Sequence, residues 1–473
     1  MSSVAIRNHL TPILDALVAG DAQALASAVQ DSVQKAEDAS ELIGRVGLVA
    51  MRGDSEGHAV LTLGAASALA RRLIALRHVL GDDEQGQSSG IPLALQALQA
   101  AAPAVKAGLN VQPTYPEGIF PSEITNGETV STRMEQAVYG RDALLVERLL
   151  FGLFNTGADY RTIAVRIYDG ISRSFQEDGH TLLDAVRGAQ VLDAVEWGAD
   201  TPAYLHWLAP HMALHTEEPS WAQVVRSFLQ EPQHSLASYR TRLAAPQDEN
   251  ALPLRSLVLS DATTSQVCQG VFEALIARGA SARGIGSVLS LAACDLLQSI
   301  DPADRERFVH ASHGLLFTSA TRTIYTQVQA VEALPLLFTA AAAINALRKD
   351  LGSDATPAKA ARPGPGGGGL IAPALLESLS EQIEARDLAG AMASARRYIR
   401  LGHDLYALFG VIGLGAARID AAADQGHTLQ LILAASDEYL AWPKALANTN
   451  IEGFLQIALQ AVAQPVSGAQ TNG

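Results

Sequence analysis

The hydrophobic and polar positions of this chain predict helices from one end to the other. No run shows the sustained alternation of a β-strand, and β-branched residues are dispersed. Alanine and leucine are abundant, and both lose little conformational freedom when they enter a helix. Aromatic residues make up only 5% of the chain, and a composition rich in alanine and leucine and poor in aromatic residues favours closely packed helices. We therefore predict an all-α fold.

One order of segments occurs four times along the chain. Each unit opens on an aspartate and a helix, and the last three units close that helix at a glycine. The aspartate suits a helix N-cap, and the glycine suits the left-handed position after a helix. The interval from aspartate to glycine is 15 residues in the second unit and again in the fourth. The units open at Asp21, Asp142, Asp261 and Asp387.

Each unit continues with a second helix, a polar turn, a third helix and a fourth helix. The second helices are predicted at residues 40–51, 160–175, 282–299 and 405–423. The fourth helix commonly begins with a proline, where the missing N–H costs nothing. These prolines are Pro92, Pro202, Pro335 and Pro443.

We predict four helical pseudo-repeats packed around a central cavity. The repeats cover residues 1–130, 131–250, 251–351 and 374–473. Residues 352–373, which contain a run of glycines and prolines, are predicted to form a flexible, disordered linker.

Four histidines occupy matching places, at or near the start of each third helix. His58, His180 and His427 each follow a glycine directly and open an apolar run. In the third unit we align His310 with these histidines, because a serine then lies nine residues after the histidine, as it does after His58 and His427. His313 could replace His310 as a ligand. Imidazole is a good ligand for iron, copper, zinc and nickel. Four imidazoles at one structural position can therefore converge on a metal ion.

Other catalytic arrangements have weaker support in the sequence. His211 and His215 are four residues apart and share a helix face, which suits a metal pair, but they lack the glutamate of a His-Glu-x-x-His motif. We favour a core or surface position for both. The chain has no Gly-x-Ser-x-Gly elbow after a strand and no recognised cysteine and histidine signature.

Charge and cysteine content narrow the class of protein. The net charge is −15, from 34 basic and 49 acidic residues, and an acidic surface repels nucleic-acid backbones. Cys268 and Cys294 match no metal or redox motif and are predicted to be small buried hydrophobic residues. The N-terminus lacks the plan of a signal peptide, and no apolar run of about 18 residues is free of charge. We expect a cytoplasmic protein that binds neither nucleic acid nor a membrane.

An all-helical chain with one histidine in each of four repeats resembles the questin oxidase-like family. The resemblance covers most of the chain by architecture and is carried by the Gly-His turns at His58, His180 and His427 and by the variant at His310. It implies a non-heme iron oxygenase of the dioxygenase type, acting on an aromatic, quinone or polyketide-like substrate. It also implies iron held by the four histidines, with a carboxylated lysine as a further ligand.

The lysine ligand that the resemblance implies has five candidates in this chain. Lys349 is our choice and Lys444 the next, while Lys359 lies in the predicted linker. A lysine must be neutral to be carboxylated, so it needs a desolvated or cation-rich place. Without such a lysine, the site would hold four histidines plus water or substrate.

The partners expected of this oxygenase are dioxygen, a small aromatic molecule and, unless the substrate is its own reductant, an electron-transfer protein. Two rival hypotheses use the same sequence features. A helical-repeat scaffold would bind a partner on its concave face without a metal. A zinc-dependent hydrolase or lyase would use the same histidines without consuming oxygen.

Overall fold

The described part of the chain is built from α-helices joined by turns, and it contains no β-strand. A computed structural model describes residues 2–80, 89–125, 127–195, 197–242, 246–328, 330–357 and 371–463. The all-α prediction is confirmed. Much of the predicted linker, including Lys359, lies outside the described residues.

The helices fall into four successive groups, with α11 as an addition after the second. The first group holds α1 (Ser2–Ala19), α2 (Ala22–Ser32), α3 (Ala36–Ala50), α4 (His58–Leu80) and α5 (Ile91–Gly108). The second holds α6 (Val130–Tyr139), α7 (Ala143–Asn155), α8 (Tyr160–Ile171), α9 (His180–Val195) and α10 (Thr201–Met212), followed by α11 (Ser220–Gln230). The third holds α12 (Pro253–Val258), α13 (Thr264–Phe272), α14 (Ala282–Gln298), α15 (Arg305–Gln327) and α16 (Pro335–Asp350). The fourth holds α17 (Ala372–Glu384), α18 (Leu388–Arg400), α19 (Leu405–Gly415), α20 (His427–Leu440) and α21 (Glu452–Ala463).

The second helix of a group begins with the predicted aspartate cap in three cases. The carboxylates of Asp21, Asp142 and Asp387 accept hydrogen bonds from backbone N–H groups in the first turn of α2, α7 and α18. The residue before each cap has a positive φ, so one turn conformation recurs at all three places. In the third group Thr263, rather than Asp261, caps α13.

Helix contacts recur in the same order within the four groups. In every group the first helix packs on the second, the third on the fourth, and the fourth on the fifth. The second helix also packs on the fifth in every group. The fourth helices of the groups, α4, α9, α15 and α20, contact one another in a closed order, because α4 packs on α9, α9 on α15, α15 on α20 and α20 on α4. We call these four the ring helices.

Charged side chains lie buried between the ring helices. The Nε of Arg322 on α15 donates to Glu438 Oε1 on α20 at 2.6 Å, and both side chains are almost completely buried. Arg72 on α4 contacts Asp437 on α20, and the α9 residue Arg187 is also buried. Burial lowers the pKa of Arg187 to about 10. A buried charge is costly unless it is paired, so the pairs of Arg322 with Glu438 and of Arg72 with Asp437 constrain how the ring helices meet.

Two segments, His58–Leu80 and Val331–Asp350, are long and apolar enough to cross a membrane by length and composition. Inside this protein, 72% and 78% of their most apolar windows are buried. A core helix of a soluble protein passes the same test. Cys268 and Cys294 are buried free thiols, as predicted.

The start of the last described helix differs from its prediction. Pro92, Pro202 and Pro335 lie in the first turn of α5, α10 and α16. Pro443 instead precedes a single 3₁₀ turn, Lys444–Leu446, and α21 begins only at Glu452. Because a short loop lies between this turn and Glu452, Pro443 does not mark the start of α21.

We predict that Glu438→Gln destabilises the protein by about 3–5 kcal/mol, because it removes the carboxylate that pairs directly with the buried Arg322 guanidinium. The loss is measured from urea unfolding curves. As a control, Glu273→Gln breaks a half-exposed pair with Arg278 and should cost less than about 1 kcal/mol. Equal losses in the two variants would contradict the role given to the buried pair.

Candidate metal centre

Three of the predicted histidines are the first residues of ring helices. The helices α4, α9 and α20 begin at His58, His180 and His427. The glycine before each histidine has φ between 75° and 90°, which is the left-handed region that glycine adopts without strain. The Gly-His pattern therefore marks a real structural position, a sharp turn that leads directly into a helix.

The third histidine-bearing helix is built differently. The helix α15 begins at Arg305, capped by the Asp304 carboxylate, so two helical turns precede His313. His310 lies in the second of these turns and remains partly exposed, whereas the His313 side chain is buried. The other three histidines are the first residues of their helices, whereas α15 has two additional turns before His313.

Four imidazole rings form a cluster, and its third member is His313 rather than His310. Adjacent ring centroids are 5.4 Å apart for His58 and His180, 5.1 Å for His180 and His313, and 5.0 Å for His313 and His427. His427 and His58 close the set at 6.1 Å. We call His58, His180, His313 and His427 the four-histidine cluster. The choice of His310 as the metal ligand in the third unit is therefore replaced by His313.

The contacts of the three glycines support this alignment independently. A Cβ atom on any of them would overlap a side chain of another ring helix. In each case that side chain lies four residues after the clustered histidine of its own helix, provided that His313 is the histidine of α15. The pairs are Gly57 with Asp184, Gly179 with Phe317, and Gly426 with Thr62.

Backbone carbonyls fix the protonation of two rings. The Nδ1 of His180 contacts the Glu177 carbonyl, and the Nδ1 of His427 lies 2.7 Å from the Asp424 carbonyl, three residues earlier in both cases. A carbonyl oxygen can only accept a hydrogen bond, so the Nδ1 atom of each of these two rings carries the hydrogen and the Nε2 atom carries the lone pair. The Nε2 of His180 is buried without a hydrogen-bond partner among the described residues. Histidines that bind metals have this same arrangement.

The cluster favours neutral imidazoles. Burial, together with the neighbouring histidines His180 and His427, lowers the pKa of His313 to about 3. Burial is also the main cause that lowers the pKa values of His58 and His427. Neutral imidazole is the form that binds a metal ion.

The spacing of the nitrogens suits one metal ion. The Nε2 atoms of His313 and His427 are 3.1 Å apart. A metal–nitrogen distance of about 2.1 Å places two tetrahedral ligands about 3.4 Å apart. Ligand nitrogens of His180, His313 and His427 all lie within 4.8 Å of one another. The His58 ring is next to this group and could supply a fourth nitrogen.

A second layer of polar residues lies behind the cluster. Asp184 Oδ2 is 3.3 Å from His211 Nδ1. Burial alone would lower the pKa of His211, but Asp184, with the charges of Asp54 and Glu177, raises it. Burial raises the pKa of Asp54, which accepts the Val60 N–H, to about 6. His211 therefore lies in the protein interior, as expected.

His215 also lies outside the cluster, but it contacts one of the residues that position it. Its Nε2 is 3.0 Å from Glu177 Oε1. Glu177 in turn supplies the carbonyl that orients His180. His215 is therefore a supporting residue of this turn.

Lys349 does not join the four-histidine cluster. Its exposed Nζ donates to the Ala262 carbonyl at 2.6 Å and to Asn345 Oδ1 at 2.8 Å, on the side of α16 that faces the turn before α13. Lys444 is exposed as well. Neither lysine has the desolvated setting that carboxylation needs, so the predicted lysine ligand is not supported by the geometry.

Several cavities reach the cluster, and three of them are larger than about 50 Å³. One of about 350 Å³ is lined by His58 and the turn around Asp54. Another of about 750 Å³ is lined by His313, His427 and residues 422–425. A smaller one of about 100 Å³ adjoins His313. The aromatic residues Phe175, Trp221 and Phe317 form part of its wall.

Comparisons of the chain with protein-family models, curated proteins and solved structures found no match. The resemblance to the questin oxidase-like family therefore stays a prediction.

We predict that Gly426→Ala destabilises the protein by at least about 2 kcal/mol more than Gly402→Ala. Both glycines have φ near 75°, so both substitutions carry the backbone cost of about 1–2 kcal/mol. Only at Gly426 would the new methyl group meet another side chain, Thr62, whereas no atom lies within 4 Å at Gly402. Equal shifts of the urea midpoint in the two variants would contradict the proposed packing.

We also predict that the metal-free protein loses stability as the pH falls below 6.5. Unfolded histidines gain a proton near that pH, whereas the native His313 stays neutral down to about pH 3. The unfolded state then binds more protons, and each such group lowers the free energy of unfolding by up to roughly 1.4 kcal/mol per pH unit. Urea titrations at several pH values measure the slope. His313→Gln should have a shallower slope, and an unchanged slope would disagree with a buried neutral His313.

Proposed function

We propose that this protein is a non-heme iron oxygenase of the dioxygenase type, acting on an aromatic, quinone or polyketide-like small molecule. The observation that carries the proposal is the convergence of four imidazoles from four different helices. Burial is the main cause that lowers the pKa values of three of them, His58, His313 and His427. Purely structural histidines would pair with acceptors, whereas buried nitrogens here lack partners among the described residues.

The chain's own groups fit a cationic metal in several ways. Carbonyl groups hold the protons of His180 and His427 on Nδ1, so that Nε2 is free to bind. Imidazole nitrogens suit iron, copper and zinc. Iron, when bound, would supply the activation of dioxygen that this class of reaction requires. The protein's part is to hold the imidazoles neutral and to limit the access of water.

The small cavity next to His313 supports an aromatic substrate. The Phe175 ring centroid lies 4.8 Å from that of Trp221 and 5.2 Å from that of Phe317. Aromatic walls bind a planar ring through stacking and edge-to-face contacts. The larger cavity, which also reaches His313, gives such a molecule room to extend outward.

We further propose that the chain consists of four five-helix repeats, close to the predicted bounds of residues 1–130, 131–250, 251–351 and 374–473. The recurring order of helix contacts, the recurring caps and the closed contacts of the ring helices support this proposal. The ring helices then surround the cavities at the four-histidine cluster. The cytoplasm is the proposed location, and two buried free thiols are consistent with a reducing compartment.

A zinc-dependent hydrolase or lyase is the second candidate. Zinc prefers four tetrahedral ligands, and the 3.1 Å between the Nε2 atoms of His313 and His427 is close to a tetrahedral spacing. Structural zinc sites are closed by four protein ligands, whereas catalytic sites keep an open position. The identity of the bound metal separates the two candidates.

We predict that protein purified without added metal contains iron and that the iron is lost in His180→Ala and in His313→Ala. Elemental analysis measures the metal, and an oxygen electrode measures dioxygen consumption with quinone and phenol substrates. Lys349→Met is the matched control, because its side chain lies away from the cluster and should leave the iron content unchanged. Zinc without iron, with no oxygen uptake, would favour the hydrolase. Metal-free wild-type protein would overturn both candidates.

A further inference from the structure

We propose that Asp178, His310 and the Nδ1 atom of His313 form a second site for a divalent transition-metal ion, joined to the four-histidine centre through the His313 ring. The proposal rests on the proposed function, because the first metal ion is the one bound at the Nε2 side of His313. It extends that function from one metal ion to an adjacent pair.

The three side chains already lie at binding distance of one another. Ligand atoms from Asp178, His310 and His313 are within 4.8 Å of each other. Asp178 Oδ2 is 3.8 Å from His310 Nδ1, which is too long for a hydrogen bond and leaves space for an ion between them and the third ligand. Two imidazoles and one carboxylate form a ligand set that iron, zinc and copper accept.

The unpaired nitrogen of His313 is the second observation. Its Nε2 faces His427 at 3.1 Å, within the first cluster. Its Nδ1 is buried and finds no hydrogen-bond partner in the described part of the chain. A buried polar atom without a partner costs free energy, and a metal ion on that side would satisfy it. The second group of ligands also contains His313, so this nitrogen is the one left for it.

An ion at this position would lie where two cavities meet. Asp178, His310 and His313 line both the aromatic cavity of about 100 Å³ and the wider cavity of about 750 Å³. A substrate ring in the first cavity and water in the second could each reach the ion. The chemical class of ligand favoured there is an anionic oxygen, such as a phenolate or enolate, because a divalent ion stabilises that charge.

Ions bound on both sides would hold the His313 ring as a bridging imidazolate. The Nδ1–H bond of the ring would break as the second ion binds, with its proton going to solvent and its electron pair to the new metal–nitrogen bond. No oxidant or reductant is needed for this exchange. The negative charge of the imidazolate would lie between two divalent ions, which would stabilise it.

Copper(II) titration of the metal-free full-length protein tests the proposal, with bound copper counted after gel filtration and spins counted by electron paramagnetic resonance. We expect two copper ions per chain in the wild type, with most of the signal lost because an imidazolate bridge couples the two spins. His310→Ala and Asp178→Asn should each bind one ion with one full spin. Glu306→Gln is the matched control, because Glu306 is an exposed carboxylate on the wall of the same cavity; it should behave as the wild type.

The outcomes separate this proposal from the proposed function. One copper ion in the wild type, unchanged by His310→Ala and lost in His180→Ala, would overturn the second site and leave the four-histidine centre standing. Two uncoupled spins in the wild type would overturn the bridge through His313. No bound copper at all would overturn the second site and the four-histidine centre together.

Discussion

Four imidazoles lie close together where the ring helices meet. Three of them stand at the N-termini of helices, where the helix dipole adds partial positive charge. Burial is the main cause that lowers the pKa values of His58, His313 and His427, and neighbouring histidines lower them further. A compact group of neutral rings with inward lone pairs is unfavourable by itself, so the surrounding helices must hold it in place. A bound cation would remove the conflict between those lone pairs.

Contacts at two places along the ring helices hold the four-histidine cluster in position. At the histidine end, tight glycine turns bring the backbone of one helix against the side chains of another. Further along, the pair formed by Arg322 and Glu438 and the contact between Arg72 and Asp437 join different ring helices through buried charge. Charge pairs of this kind are specific in direction and partner, which apolar packing among alanine and leucine is not. The geometry at the histidines is therefore fixed by polar contacts within an otherwise apolar core.

Local features were predictable from the sequence, and the long-range ones were not. The aspartate caps and Gly-His turns depend on residues within one helical turn, so Asp142, Asp387 and Gly426 were recognised correctly. In the third unit the ring that lies with the other three is His313 rather than His310, because the Asp304 cap starts α15 two turns before His313, and the matching serine does not reveal this. Lys349 is predicted as a ligand from its position in a repeat. The direction of its side chain depends on contacts with Ala262 and Asn345, which the spacing of residues along the chain does not indicate. The contact between Asp184 and His211 joins two helices, so no periodic pattern in the sequence predicts it.

The early start of α15 is also where the fourfold pattern is broken. Glycine turns connect the first unit to the second, the second to the third, and the fourth to the first, but the third unit has no such glycine before its clustered histidine. At that interval the first turns of α15, with Arg305 and Glu306, face residues 422–425 across the cavity of about 750 Å³. The cavities beside the glycine turns at Gly426 and Gly179 are smaller, at about 350 Å³ and about 100 Å³. The unequal third repeat therefore leaves more open space on one side of the four-histidine cluster than on these two others.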